Sequence, residues 1–103
     1  MTDLARIRRE SMRWNLLNTL NKARPYTTNE TFLLDVMRAI YPDATGLEIR
    51  RELDYLADRQ LLAINKTPGG AWFADLTRTG VDLAEYTVVC EPGIARPEKY
   101  WSE

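Results

Sequence analysis

The strongest constraint on the fold lies in residues 28–76, where an apolar helix, a turn, a second helix and a hairpin follow one another without a spacer. The pattern predicts the first helix over 31–40 and ends it at the proline-containing turn 41–44. A second helix is predicted over 45–60, followed by a hairpin over 62–76. This order indicates a mainly α fold with a small antiparallel β-hairpin, an α+β arrangement.

Both helices begin with the pattern of a capping box, in which a Thr side chain and a Glu three residues later bind backbone amides at the helix start. Thr27 with Glu30 opens the first helix, and Thr45 with Glu48 opens the second. Apolar residues at helical spacing define the inward face of each helix. This face consists of Leu33, Leu34, Met37 and Ile40 in the first helix, and of Ile49, Leu53, Leu56 and Ala57 in the second. The outward face of the second helix consists of Leu47, Arg51, Asp54, Tyr55 and Asp58.

The hairpin is predicted from a strand over 62–66, a Thr-Pro-Gly-Gly turn and a return strand that begins at Trp72. Proline presets φ in such a turn, and glycine permits positive φ. One of Trp72 and Phe73 must face inward, because side chains alternate along a strand. The sequence Leu-Thr-x-x-Gly at 76–80 then leads into a last helix with Thr77 as its cap. That helix is predicted to bury Val81, Leu83 and Ala84.

A further helix is predicted over residues 3–23, which contain neither Gly nor Pro. Its apolar residues form two stripes, Leu4, Ile7 and Trp14 on one side and Met12, Leu16, Leu17 and Leu20 on the other. Either one stripe enters the core while the other contacts a partner chain, or a kink near Glu10-Ser11 turns both toward one core. The tail, residues 87–103, must pack on a surface to cover Tyr100 and Trp101.

The composition indicates a single globular domain without an enzymatic centre. The 103 residues, 45% hydrophobic and 28% charged, suit one domain made of a basic N-terminal helix (1–26), a central unit (27–86) and the tail. The absence of His and the single Cys90 leave no ordinary metal site, no cofactor site and no common general base. No membrane span, secretion signal or small-molecule site is evident, and one cysteine fits a cytoplasmic protein.

Charge is distributed unevenly along the chain. The formal net charge of −1 argues mildly against nucleic acid as a partner. Residues 1–24, however, contain six basic and two acidic side chains, so this end carries +4 and the remainder −5. A basic end on an acidic body suits either a DNA-contacting arm or one half of a charge-complementary protein contact.

Two segments resemble winged helix-turn-helix proteins. Residues 48–62 resemble the recognition helix and first wing strand of many bacterial transcription regulators, although Gln60 stands where Gly is usual in them. Residues 76–80 resemble the Leu-Thr-x-x-Gly entry to the helix that follows the wing in the same superfamily. The resemblance implies a winged helix-turn-helix with an N-terminal helix and a C-terminal helix plus tail.

The chain as a whole is similar to a small winged-helix protein family of Mu-like bacteriophages and prophages. The similarity rests on the basic first helix, the central unit and the tail segment Pro-Gly-Ile-Ala-Arg-Pro at 92–97. It implies a phage or prophage protein of this length with a DNA-binding fold and without an enzymatic activity.

The first hypothesis is DNA binding by helix 45–60 and the wing 62–76, with a role in transcription regulation. The helix would enter the major groove with its N-terminal half, where Arg can bind guanine or phosphate. The candidate contacts are Thr45, Leu47, Arg50, Arg51 and Tyr55 on this helix, Lys66 on the wing, and Arg6, Arg8, Arg9 and Arg13 on the first helix.

The alternative is a non-catalytic protein-interaction module of the same fold, acting in phage assembly or as partner of another DNA-binding protein. The outward Leu47 and Tyr55 favour it, because apolar and aromatic side chains suit a buried contact. Four acidic side chains of the same helix also favour it, since they would repel phosphates: Glu48, Glu52, Asp54 and Asp58. Under either hypothesis we expect a homodimer built by the first helix and the tail.

Overall fold

A computed structural model of the chain describes residues 3–99, which fold into four α-helices and one three-stranded antiparallel sheet. In chain order the elements are α1 (Leu4–Ala23), β1 (Thr28–Asn29), α2 (Glu30–Ile40), α3 (Gly46–Asp58), β2 (Leu62–Lys66), β3 (Trp72–Leu76) and α4 (Arg78–Ala84). Strand β3 lies between β1 and β2. The predicted order of helices and hairpin is confirmed, and β1 is an addition that the sequence pattern does not indicate. Tyr100 and Trp101 lie outside the described residues.

Helix α1 contributes one apolar stripe to the core, and of the other stripe only Trp14 packs against the core while Leu4 and Ile7 are exposed. The buried stripe consists of Met12, Leu16, Leu17 and Leu20. The helix is continuous through residues 10–11 and both Leu4 and Ile7 are exposed, so the alternative in which a kink turns both stripes toward one core is wrong. Leu4 is 75% exposed and Ile7 49%, whereas Trp14 is partly covered by the ring of Tyr86, with the ring centroids 5.9 Å apart.

The start of α2 differs from the prediction because the chain enters this helix from a strand. Thr28 and Asn29 pair with β3, with Thr28 opposite Ala74. Asn29 rather than Thr27 is therefore the cap, and its side chain accepts a hydrogen bond from an amide of the first turn. The carboxylate of Glu30, predicted to complete the capping box, is bound instead to groups of α3 and β3.

The end of α2 places Ile40 outside the core, contrary to the prediction. Ile40 is the last residue of the helix and is 50% exposed, while Tyr41 directly after it packs against the core. Leu33 and Met37 are fully buried as predicted, and Leu34 is half-buried.

Helix α3 is capped at both ends. The side chain of Thr45 accepts a hydrogen bond from the Glu48 amide at 3.2 Å, which confirms the Thr45 half of the predicted capping box, whereas the carboxylate of Glu48 binds Arg8. After the helix the chain reverses at Gln60, whose φ of 63° is left-handed. The amides of Gln60 and Leu61 then donate to carbonyls of the last helical turn. Gln60 thus holds the conformation for which the resembling proteins use Gly.

We expect replacement of Gln60 by glycine to raise the free energy of unfolding by roughly 0.5–1 kcal/mol, because glycine adopts positive φ without a steric cost. The measurement is urea denaturation of both proteins. Arg59→Gly is the matched control, since Arg59 has a φ of −89° and glycine there is expected to destabilise. If Gln60→Gly and Arg59→Gly lower the free energy of unfolding equally, the left-handed conformation assigned to Gln60 is contradicted.

The hairpin has the predicted strands and turn. Strands β2 and β3 pair from Leu62 opposite Leu76 to Lys66 opposite Trp72. Gly70 in the connecting turn has a φ of 95°, which agrees with the predicted need for glycine. Trp72 packs against the core and is therefore the inward aromatic residue of the pair at 72 and 73.

Helix α4 and the tail close the domain over α1. Thr77 caps α4 by accepting a hydrogen bond from the Gly80 amide at 3.1 Å, as predicted. Ile94 of the tail is only 9% exposed and joins the core. The amide of Ala95 donates to the Glu10 carbonyl of α1 at 3.1 Å. The tail up to residue 99 therefore packs on the first helix of its own chain.

Candidate nucleic-acid interface

One side of α3 remains open to solvent between α1 and the hairpin, and we call it the α3 outward face. It consists of Leu47, Arg51, Asp54 and Asp58, all of them exposed. Leu47 is 61% exposed. Arg51 forms no ion pair with another residue of the described chain, whereas Asp54 lies 3.7 Å from the Lys66 ammonium. The N-terminal half of this face is thus apolar and basic, and its C-terminal half is acidic.

Two arginines of α1 bind two glutamates of α3 and dock the helices together. Arg8 donates to both carboxylate oxygens of Glu48 at 2.7 and 2.9 Å, and its guanidinium also lies 2.9 Å from Asp43. Arg13 donates to Glu52 at 2.7 Å. The hydrogen bonds to Glu48 and Asp43 raise the pKa of Arg8, and the hydrogen bond from Arg8 lowers the pKa of Asp43. Arg8 and Arg13, predicted as DNA contacts, are therefore engaged within the chain, and so are two of the acids that weigh against DNA.

Tyr55 is half-buried and turned toward α1 and the tail, so its predicted place on the outward face is wrong. The guanidinium carbons of Arg13 and Arg59 lie 3.4 and 4.3 Å from its ring centroid. Arg13 also donates to the carbonyl of Gly93 at 2.9 Å. The reason is the helical spacing, because Tyr55 follows Glu52 by three residues and shares its side of α3.

Arg50 fastens the wing to α2 and α3. It donates to both carboxylate oxygens of Glu30 at 2.7 Å and to the Gly70 carbonyl at the wing tip at 2.6 Å. Its guanidinium carbon lies 4.5 Å from the Trp72 ring centroid, and the Trp72 amide donates to Glu30 at 2.7 Å. The guanidinium predicted to contact DNA is therefore bound to the protein. Sequence reasoning missed Glu30 and Trp72 as its partners.

The Arg50 guanidinium and the Trp72 amide hold the pKa of Glu30 below its ordinary value of 4.5. A depressed pKa stabilises the fold above the ordinary value, and this contribution is lost as the pH falls through the folded pKa. We expect Glu30→Gln to be less stable than the wild type at pH 6 and to lose less further stability between pH 5 and pH 3. Urea denaturation across this range measures both. If the free energy of unfolding depends on pH in the same way in both proteins, the lowered pKa of Glu30 is contradicted.

The remaining basic candidates differ in their partners. Arg6 lies 3.6 Å from Glu10 on the surface of α1. Lys66 lies near Asp54 and has its ammonium 4.4 Å from the Trp72 ring centroid. Arg9, like Arg51, forms no ion pair with another residue between 3 and 99.

One cleft brings five of the predicted contacts together at the N-terminal end of α3, among them Arg8, which is bound to Glu48. It has a volume of about 290 Å³ and lies between the first turns of α1 and α3. Its lining includes Arg9, Thr45, Leu47 and Arg51. We call it the α1–α3 cleft.

Two other features, a cluster of metal-ligating side chains and a membrane-spanning helix, are absent from the part of the chain that the structure describes. Residues 3–99 contain no group of three or more metal-ligating side chains in reach of one ion. Within the same residues, no helix combines the length and apolarity needed to span a membrane.

Comparison with known proteins identifies the fold. No protein-family model and no curated protein sequence matches the chain. Among solved structures, a mutant of Lactococcus lactis ZitR is similar, with a TM-score of 0.57 and 12% identity over 74% of this chain and 48% of that one. The chain thus spans about half the length of that structure. Four helices, the three-stranded sheet and this likeness show that the protein has a winged helix-turn-helix fold of the α+β class.

Proposed function

We propose that this protein binds duplex DNA with the N-terminal half of the α3 outward face, flanked by the wing and by the first turns of α1. The observation that carries the proposal is the pair Arg9 and Arg51. Both line the α1–α3 cleft beside Leu47, and neither forms an ion pair within the described chain. Unpaired arginines on exposed helix faces suit phosphates, which dominate the affinity of DNA contacts.

Internal salt bridges reduce the repulsion expected between the acidic side chains of α3 and DNA phosphates. Glu48 and Glu52 are bound by Arg8 and Arg13, so their charges are compensated within the fold. The acids that remain on the outward face, Asp54 and Asp58, lie in its C-terminal half. This distribution favours an approach in which α3 enters the groove with its N-terminal half, the usual orientation of a recognition helix.

The wing supports the same orientation. Arg50 and Glu30 fix the wing tip beside α3, and Lys66 is exposed on β2 near the outward face. The resemblance of residues 48–62 to bacterial transcription regulators supports a regulatory role, and the likeness to ZitR supports the fold on which that role depends. Phage or prophage origin and a cytoplasmic location stay predictions.

We expect the wild-type protein to bind a 20-base-pair duplex at low salt and Arg51→Ala to weaken that binding by roughly tenfold, the order of one lost charged contact. Fluorescence anisotropy of a labelled duplex measures both. Arg78→Ala is the matched control, because Arg78 is an exposed arginine on α4, outside the α1–α3 cleft and away from the wing tip. Equal affinities for Arg51→Ala and the wild type would contradict the proposal.

Exposed apolar side chains favour a second candidate, a protein-interaction module. These side chains lie on α1 and α2 as well as on α3 and are Leu4, Ile7, Phe32, Ile40 and Leu47. The stripe of Leu4 and Ile7 also supports the predicted homodimer through α1, whereas the described tail is packed on its own chain. The mass in solution by light scattering tests the dimer, and the mass of a single chain would contradict it.

A further inference from the structure

We infer that Arg9 and Arg51 together clamp one phosphate of the DNA backbone in the α1–α3 cleft. This inference rests on the proposed function and deepens it, since it names the chemical group that the cleft binds. It also assigns the first helix a direct part in DNA binding, next to the recognition helix.

The position of Arg9 is fixed by its neighbours on α1. Arg8, one residue earlier, makes a two-pronged salt bridge with Glu48, and Arg13, one turn later, binds Glu52. The helix is continuous between them, so its backbone is held against α3 at two points. Arg9 is therefore presented to the cleft from a fixed backbone, which lowers the entropic cost of binding.

The charge of the cleft suits an anion. Besides Arg9 and Arg51, which are not paired, its lining contains three charged side chains that are bound within the fold: Arg8 and Glu48 bind each other, and Glu52 binds Arg13. Ala5 and Leu47 supply an apolar part of the lining that offers no competing hydrogen-bond group. Two guanidinium groups from different helices can each donate a two-pronged hydrogen bond to the same phosphate.

The test compares Arg9→Ala, Arg51→Ala and the double variant in anisotropy titrations with a 20-base-pair duplex from 50 to 200 mM salt. Each single variant is expected to weaken binding to a similar extent for duplexes of different sequence, but to reduce the slope of log K against log salt by clearly less than about 1, because the remaining arginine still neutralises the phosphate. The double variant is expected to reduce the slope by about 1, because both side chains hold the same phosphate. Thermal midpoints close to that of the wild type are expected, because neither side chain has an ion-pair partner in the described chain.

The possible results separate the clamp from DNA binding itself. Loss of affinity in Arg51→Ala with wild-type binding by Arg9→Ala would overturn the clamp and leave the proposed function standing. A slope reduced by about 2 in the double variant would assign the arginines to two phosphates and overturn the shared site. Absence of binding by the wild type at 50 mM salt would overturn both proposals.

Discussion

Replacement of Gly80 by alanine is expected to lower the free energy of unfolding by about 3 kcal/mol. A Cβ atom at position 80 would lie 1.9 Å from the carbonyl oxygen of Leu61, a contact with backbone that no rotamer change relieves. The Leu61 carbonyl cannot retreat easily, because it accepts a hydrogen bond from the Thr77 amide at 3.1 Å. Thr77 also donates to the Gln60 carbonyl at 2.7 Å, so the corner after α3 and the start of α4 would shift together.

Urea denaturation measures this loss, and Gly46→Ala is the matched control. A Cβ atom at Gly46 would meet nothing within 4 Å, and alanine is the better helix former at this position in α3. We expect the control to leave stability unchanged or to raise it by up to about 1 kcal/mol. A Gly80→Ala protein as stable as the wild type would show that α4 does not approach Leu61 as closely as the structure shows.

Replacement of Arg13 by methionine is expected to cost about 3 kcal/mol, because it leaves the carboxylate of Glu52 buried without its partner. The Arg13 and Glu52 side chains are only 12% and 6% exposed. The double variant Arg13→Met/Glu52→Leu is expected to be more stable than Arg13→Met, since it removes both charges from the interior. Urea denaturation of the single and double variants completes a double-mutant cycle.

The control for this cycle is Arg6→Ala, which removes an exposed arginine of the same helix. Arg6 is 67% exposed in its pair with Glu10, so its loss is expected to cost less than about 0.5 kcal/mol. Equal losses for Arg13→Met and Arg6→Ala would contradict the role of the buried pair in docking α1 on α3.

Local patterns in the sequence predict the elements of this fold because their causes are local. Thr45 caps α3 through a residue three positions on, and Thr77 caps α4 in the same way. The start of α2 is mispredicted because Thr28 pairs with Ala74, which is distant in sequence. The local capping motif predicts Thr27 as the cap, two residues before the observed cap Asn29, because it contains no information on that strand pairing.

The candidate site is less predictable because long-range salt bridges decide which charges remain available. Arg8 binds a glutamate 40 residues away, and Arg13 binds one 39 residues away. The sequence shows these side chains only as a basic stripe and an acidic helix. Their pairing leaves Arg9 and Arg51 as the unpaired charges at the α1–α3 cleft, a selection that composition and spacing do not reveal.

The most direct test of DNA binding by α3 is a titration of the isotopically labelled protein with duplex DNA, followed by the amide signals in two-dimensional NMR spectra. We expect shifts or broadening at residues 45–51 and near Lys66, with smaller changes in α4. Absence of changes at low salt, or changes confined to the exposed apolar residues of α1 and α2 such as Leu4 and Phe32, would contradict DNA binding by α3.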